Sequence, residues 1–278
     1  MTTLAPVKAP IGRLLRSELR WIYRRPRTLI LLGLLALYPI LFGIGTQVID
    51  DPVQATQDQT LVATVAGNAF MLPVIVLSTT MVFFLPLGTT ITASDALAGE
   101  ASHGTLRSLL LAPVSRVRLL AVKAFGVAVV SAGAALTTAL IAFFTGLIIA
   151  GPGNLVSISG STLSVGEGLW RVLLATGWVV VQMWAIGAIA LAVSAATEHP
   201  LLVMASVIGG LFVFGLLSQI PVLDWMDPFL LTTSWNDIAD FLRDPIPSEY
   251  LMTGLLRAVC YIVIGYSLAL ARMVTKDS

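Results

Sequence analysis

The chain has 278 residues, of which 57% are hydrophobic and 11% charged, with a formal net charge of +1. A water-soluble domain carries about a quarter of its residues as charges, so an ordinary soluble enzyme or nucleic-acid-binding domain is excluded in favour of a membrane protein. One cysteine, Cys260, and two histidines far apart, His103 and His199, supply no intramolecular disulfide, no paired thiols and no zinc-ligand spacing.

Ile11 to Arg24 reads as an amphipathic helix. At 100° per residue Ile11, Leu14, Leu15, Leu19 and Ile22 share one face, opposite Arg13, Arg16, Arg20 and Arg24. A basic face opposite an aliphatic one suits the boundary of an anionic leaflet. The segment 11–27 is thus an elbow helix, serving as a topology anchor or also touching a cytoplasmic partner, with Pro26 ending or bending it. It does not read as a cleavable signal: the apolar run that follows is too long and no small-residue cleavage site succeeds it.

Six apolar stretches follow. Uncharged runs cover Thr28–Ile49, Gln59–Ser94, Ala124–Gly166, Val172–Thr197 and His199–Leu223, and Leu251–Ala271 is interrupted only by Arg257. Each is long enough to cross a hydrocarbon core of about 30 Å, which takes about 20 helical residues. Lipid offers the backbone no partners, so these are helices rather than open strands. The expected architecture is all-α: one polytopic domain, 1–278, with six transmembrane helices. The second run would make a helix of about 54 Å. It therefore reads as one long span bent at Pro73 and Pro86.

Thirteen of the sixteen basic residues lie before the first span, between the second and third, or after the sixth. Lys and Arg are retained on the cytoplasmic side. Both termini and the 95–116 connection are therefore placed on the cytoplasmic side of a plasma membrane. Small residues in the fourth and fifth spans (Ala185, Ala188, Ala192, Ala196, Ser206, Gly210, Gly215) read as packing faces within the chain. In the outer loop 224–250, Ser234 and Asp237 suggest the capped start of a short helix reaching Leu242. Trp225, Phe229, Trp235 and Phe241 suit an aromatic belt there, or a cover over a substrate exit.

Reactive groupings are missing. There is no His-Glu-x-x-His motif, no pair of intramembrane carboxylates and no Gly-x-x-x-x-Gly-Lys loop for phosphates. This argues against a lipid transferase, a protease and a proton-coupled secondary carrier. The strongly polar residues expected within spans are Asn68, Gln182 and Arg257, the last near the outer end, where it can snorkel or line a pathway.

The connection after the second span carries the most specific signal. Gly99, Glu100, His103, Gly104, Thr105, Leu106, Leu109, Leu110, Pro113, Val114, Ser115, Arg116 and Lys123 form an ordered pattern. In this pattern the chain resembles the membrane subunits of ATP-binding-cassette (ABC) exporters of the type-2 permease class. The resemblance extends to the basic N-terminal helix, the six spans and the hydrophobic outer loop. It implies that 95–116 holds a cytoplasmic coupling helix docking in a separate ATPase subunit. The contact residues it implies are Glu100, His103, Gly104, Thr105 and Leu106, with Arg107 and Arg116 as charge partners. ATP and Mg would be bound by that partner and no cofactor by this chain. A second permease subunit, identical or homologous, and membrane lipid complete the implied partners; nucleic acid is not among them. An amphipathic small molecule or drug suits the apolar spans as the exported cargo. A permease serving copper-enzyme maturation is the alternative within the class, and the scattered Met71, Met81, Met183 and Met204 do not favour it.

Overall fold

The structure is a computed structural model and describes residues 11–48, 68–102, 115–151, 153 and 155–275. Helix α1 spans Ile11–Tyr23, and α2 spans Pro26–Val48. Along α1 Leu14, Leu15 and Leu19 are half-buried and Ile22 is buried, while Arg13, Arg16 and Arg20 are exposed, following the amphipathic period. The helix stops earlier than the expected elbow boundary because Pro26 opens α2 as its first residue, where a missing N–H costs nothing.

After α2 comes a bent pair: α3 (Met71–Val82) and α4 (Phe84–Ser94), meeting at 53°. The bend falls at Phe83 (φ −141°, ψ −54°), not at either proline. Pro86 explains it from three residues away: it has no N–H to give the Val82 carbonyl, and its ring crowds that oxygen. Pro73 lies in the first turn of α3, where no intrahelical acceptor exists, and bends nothing. Asn68, expected inside the span, instead precedes it and accepts a hydrogen bond from the Phe70 N–H at 3.0 Å. Beyond α4 the chain runs through a π-helical turn, Asp95–Gly99, to Ser102.

Helix α5 (Arg116–Ala150) ends at Gly151, whose φ of +73° suits a residue without a Cβ. There the apolar run expected to continue to Gly166 breaks into a small antiparallel ladder, β1 (Leu155–Val156) on β2 (Thr162–Leu163). Helices α6 (Val165–Ala196), α7 (Pro200–Leu217) and α8 (Ser248–Thr275) complete the bundle. Helices α2, α5, α6, α7 and α8 are each long and apolar enough to cross a membrane, and the bent pair adds a sixth candidate when its two halves are taken as one span. The pair traverses the bundle: Ala69 lies against Gly146 near the end of α5, whereas Asp95 meets Arg25 between α1 and α2. The end holding α1, Asp95 and the last turn of α8 is termed basal, and the opposite end distal.

Helix α6 is the centre of the core. Ala185 and Ala188 are fully buried, and a Cβ at Gly265 of α8 would lie 2.6 Å from the Ala188 carbonyl carbon, so small residues permit this close crossing. Gln182 adds a hydrogen bond to the Gly254 carbonyl at 3.1 Å. Helix α7 behaves differently. Only Val203 and Val207 are buried, and a Cβ at Gly209, Gly210 or Gly215 would meet nothing within 4 Å. The small residues of this fifth span therefore do not pack within the chain, contrary to expectation.

The distal loop forms two runs of 3₁₀ turns, Pro221–Met226 and Leu231–Leu242. Ser234 bonds the Leu231 carbonyl rather than capping a helix. Trp225 and Phe229 are exposed as a belt requires, but Trp235 and Phe241 are buried, Phe241 edge-on to Trp178. Buried Arg171 clamps this cap, donating to Asp244 (3.1 Å), Glu167 (3.2 Å) and the carbonyls of Phe241 and Arg243. Arg257 does the same from α8: it donates to the Leu230 carbonyl at 2.7 Å and to the Thr233 hydroxyl, so it fastens the loop.

Candidate coupling site

At the basal end two carboxylates from different parts of the chain, Glu18 and Glu100, converge on Lys123, two turns into α5. Its side chain is only 4% exposed. An ammonium so placed costs several kcal/mol unless it is well paired, and here both Glu18 oxygens lie at 3.0 and 3.1 Å, with a Glu100 oxygen also in direct contact. Glu18 faces inward from α1, next to the point where Ile22 abuts Gly126 of α5. The second node is Asp95, which accepts from Arg25 at 2.6 Å and has Arg27 at 3.9 Å. Trp21 joins the nodes: the Arg25 guanidinium lies 3.3 Å from its ring centroid and the Lys123 ammonium 5.0 Å. A void of about 10 Å³ among these groups holds at most one water. The cluster is a joint, with no room for a ligand.

The π-helical turn makes the joint possible. In an uninterrupted α-helix, residues five apart point about 140° away from one another. The wider turn, bonded i to i+5, brings such residues closer to one side, so Asp95 and Glu100 both address the cluster. Ser194 of α6 stabilises this turn, accepting from the Ala98 N–H at 2.9 Å and donating to the Ser94 carbonyl at 3.2 Å.

Arg116 makes a third attachment. It donates to the carbonyls of Met273 (2.7 Å) and Val274 (2.8 Å), in the last described turn of α8. A cation also complements the negative end of that helix.

A family model described as ABC-2 family transporter protein matches residues 13–267. The chain belongs to the ABC-2 transporter family. Among curated proteins, none matches it. As an ABC-2 permease it is the membrane component of a transporter, and the family implies association with an ABC ATPase.

In this ABC-2 permease the basal joint brackets the segment between Ser102 and Ser115. Glu100, just before it, is held by Lys123 and through that residue by Glu18; Arg116, just after it, is held by the end of α8. Both are turned into the chain's own structure. His103, Gly104, Thr105, Leu106 and Arg107 lie outside the described residues. Glu18, Arg25 and Asp95 had not been singled out. A signal for Glu18 was present, since it is the sole acidic residue among the six basic ones of 11–27.

Proposed function

We propose that this chain is the membrane permease of an ATP-driven exporter, moving an amphipathic small molecule outward across the plasma membrane. The basal end is cytoplasmic in this reading, supported by the thirteen basic residues placed there or in its connections. A second permease subunit faces the first in the bilayer, and two ATPase subunits, which bind ATP and Mg, sit beneath them. The observation that carries the proposal is the bracketing of 103–114 by two anchored residues. His103, Gly104, Thr105 and Leu106 dock in the ATPase, with Arg107 meeting its surface charge. Displacement of that segment pulls Glu100 and Arg116, and through them α1, the bent span, α5 and α8. Glu100 and Arg116 thus transmit the motion while the residues between them make the contact.

Coexpression with the cognate ABC ATPase tests this. Gly104→Val and Arg107→Glu should insert and fold as the parent does, yet lose ATPase co-purification or uncouple ATP turnover from transport. If both variants retain the ATPase and transport normally, the segment is not the coupling contact.

A further inference from the structure

Ser194, buried near the end of α6, touches two backbone groups of the bent span with one hydroxyl. It accepts from the Ala98 N–H at 2.9 Å and donates to the Ser94 carbonyl at 3.2 Å. Those two groups are four residues apart, so in an uninterrupted α-helix they would bond each other. The hydroxyl therefore stands inside one rung of the helical ladder, and at that place the chain widens into its π-helical turn, Asp95–Gly99. Insertion of a side chain into the i→i−4 ladder is one of the few causes of such a distortion. Proline, the commonest of them, is not available here, because 87–112 contains none.

The wedge decides where Glu100 points. Ser94 and Ala98 are themselves buried, so bulk water cannot take the hydroxyl's place. Without the hydroxyl, the Ala98 N–H and the Ser94 carbonyl satisfy each other only if the turn closes to α, and buried groups left unpaired are costly. A π-helical turn holds one residue more than the α-helical turn it replaces. If it closes while Asp95 stays on Arg25, everything beyond it advances by one residue, a rotation of about 100°. Glu100 then leaves Lys123, and Ser102 turns with it at the entrance to 103–114.

We propose that Ser194 is a positioning residue for coupling: its hydroxyl, wedged between the Ser94 carbonyl and the Ala98 N–H, sets the register in which the bent span presents Glu100 to Lys123. The register is a property of this chain alone; its consequence for transport rests on the exporter reading. A slide of α6 past the bent span by about 3 Å, two residues of helical rise, puts both bonds of the hydroxyl beyond reach. The turn then closes, and a translation of α6 becomes a rotation of the segment that follows Ser102. The link runs both ways, since a pull on that segment that turns Glu100 off Lys123 closes the rung and expels the hydroxyl.

The test uses the purified full chain in nanodiscs with exposed Cys260 replaced by Ser. Spin labels are placed at Ser102→Cys and, in turn, at Ala121→Cys of α5 and Ala196→Cys of α6, all exposed positions. A 100° turn carries a side-chain end about 5 Å from the helix axis through about 8 Å. Ser194→Ala should therefore change at least one of the two pulsed-EPR distances by more than about 3 Å. Deleting Ala96 in the Ser194→Ala chain removes the surplus residue, so Asp95 and Glu100 stand four apart on one helical face, and the parent distances should return. In the complex with the cognate ATPase, Ser194→Ala should lower transport per ATP hydrolysed, and the deletion should restore it. Parent distances in Ser194→Ala would mean that the turn does not depend on the hydroxyl and would overturn the proposal. Shifted distances that the deletion does not restore would overturn it too, because a merely loosened core is not corrected by removing a residue. Normal transport from a shifted register, where Arg107→Glu uncouples, would overturn the positioning role and leave the coupling segment standing. Failure of Arg107→Glu to uncouple strikes the coupling contact instead, and the distances, which need no ATPase, still decide the wedge.

Discussion

Lys123→Met removes a cation that two buried carboxylates share. At 3.0 Å and an effective dielectric of about 20, the attraction to Glu18 alone is about 5.5 kcal/mol before desolvation is subtracted. The substitution leaves the Glu18 and Glu100 side chains, 11% and 8% exposed, without that counter-charge. Breaking a buried pair from one side costs about 3–5 kcal/mol, and about 3 kcal/mol is already more than a hundredfold in an equilibrium constant. The loss should appear where the pair acts, as undocking of α1 from α5. Trypsin should then cut faster after exposed Arg24, at the break between α1 and α2, and the thermal midpoint in detergent should fall. Lys123→Met combined with Glu18→Gln and Glu100→Gln should recover most of the loss, because neutral partners no longer need the cation. If Lys123→Met alone is cleaved and melts like the parent, the joint does not hold α1 and the transmission argument fails with it.

Gly265→Leu should lower the yield of folded, monodisperse protein by forcing α6 and α8 apart at Ala188, an overpacking cost of about 1–3 kcal/mol. Gly209→Ala, in open space on α7, should be neutral or gain up to about 1 kcal/mol from helix propensity, and equal behaviour of the two would contradict the packing assigned here. In the distal cap, burial and then neighbouring Asp240 push the Asp237 carboxyl above the usual carboxylate range, with Arg257 pulling the other way. Its folded pKa exceeds the unfolded one, so protonation favours the fold. That contribution is complete below about pH 4 and is lost as pH rises through the raised value. Asp237→Asn should therefore be more stable than the parent at neutral pH, with the gap closing on acidification; parallel thermal-stability profiles from pH 4 to 8 would refute it.

Much of this architecture is written in one-dimensional pattern. Apolar runs of spanning length, the 3.6-residue period of α1 and the position of Pro86 depend on local chemistry that no tertiary contact has to supply. The ordered Gly99–Lys123 pattern pointed to the same family that the match over residues 13–267 establishes. The charged joint was not legible in this way. Glu18 and Lys123 are 105 residues apart, and Arg25 and Asp95 are 70 apart, so nothing in the sequence pairs them. The resemblance implies Glu100 as a contact with a separate subunit; its burial against Lys123 is a fact of packing. The same holds for the distal cap. Trp235 and Phe241 have the composition of a membrane belt, and only the fold of the Leu231–Leu242 turns onto α3, α6 and α8 decides that they are buried while Trp225 and Phe229 are not. Local propensity and hydropathy determine which segments cross and where a span must break. Which charges meet, and which glycines face a neighbour or open space, depends on contacts between residues distant in sequence, whose energies exist only after the helices have packed.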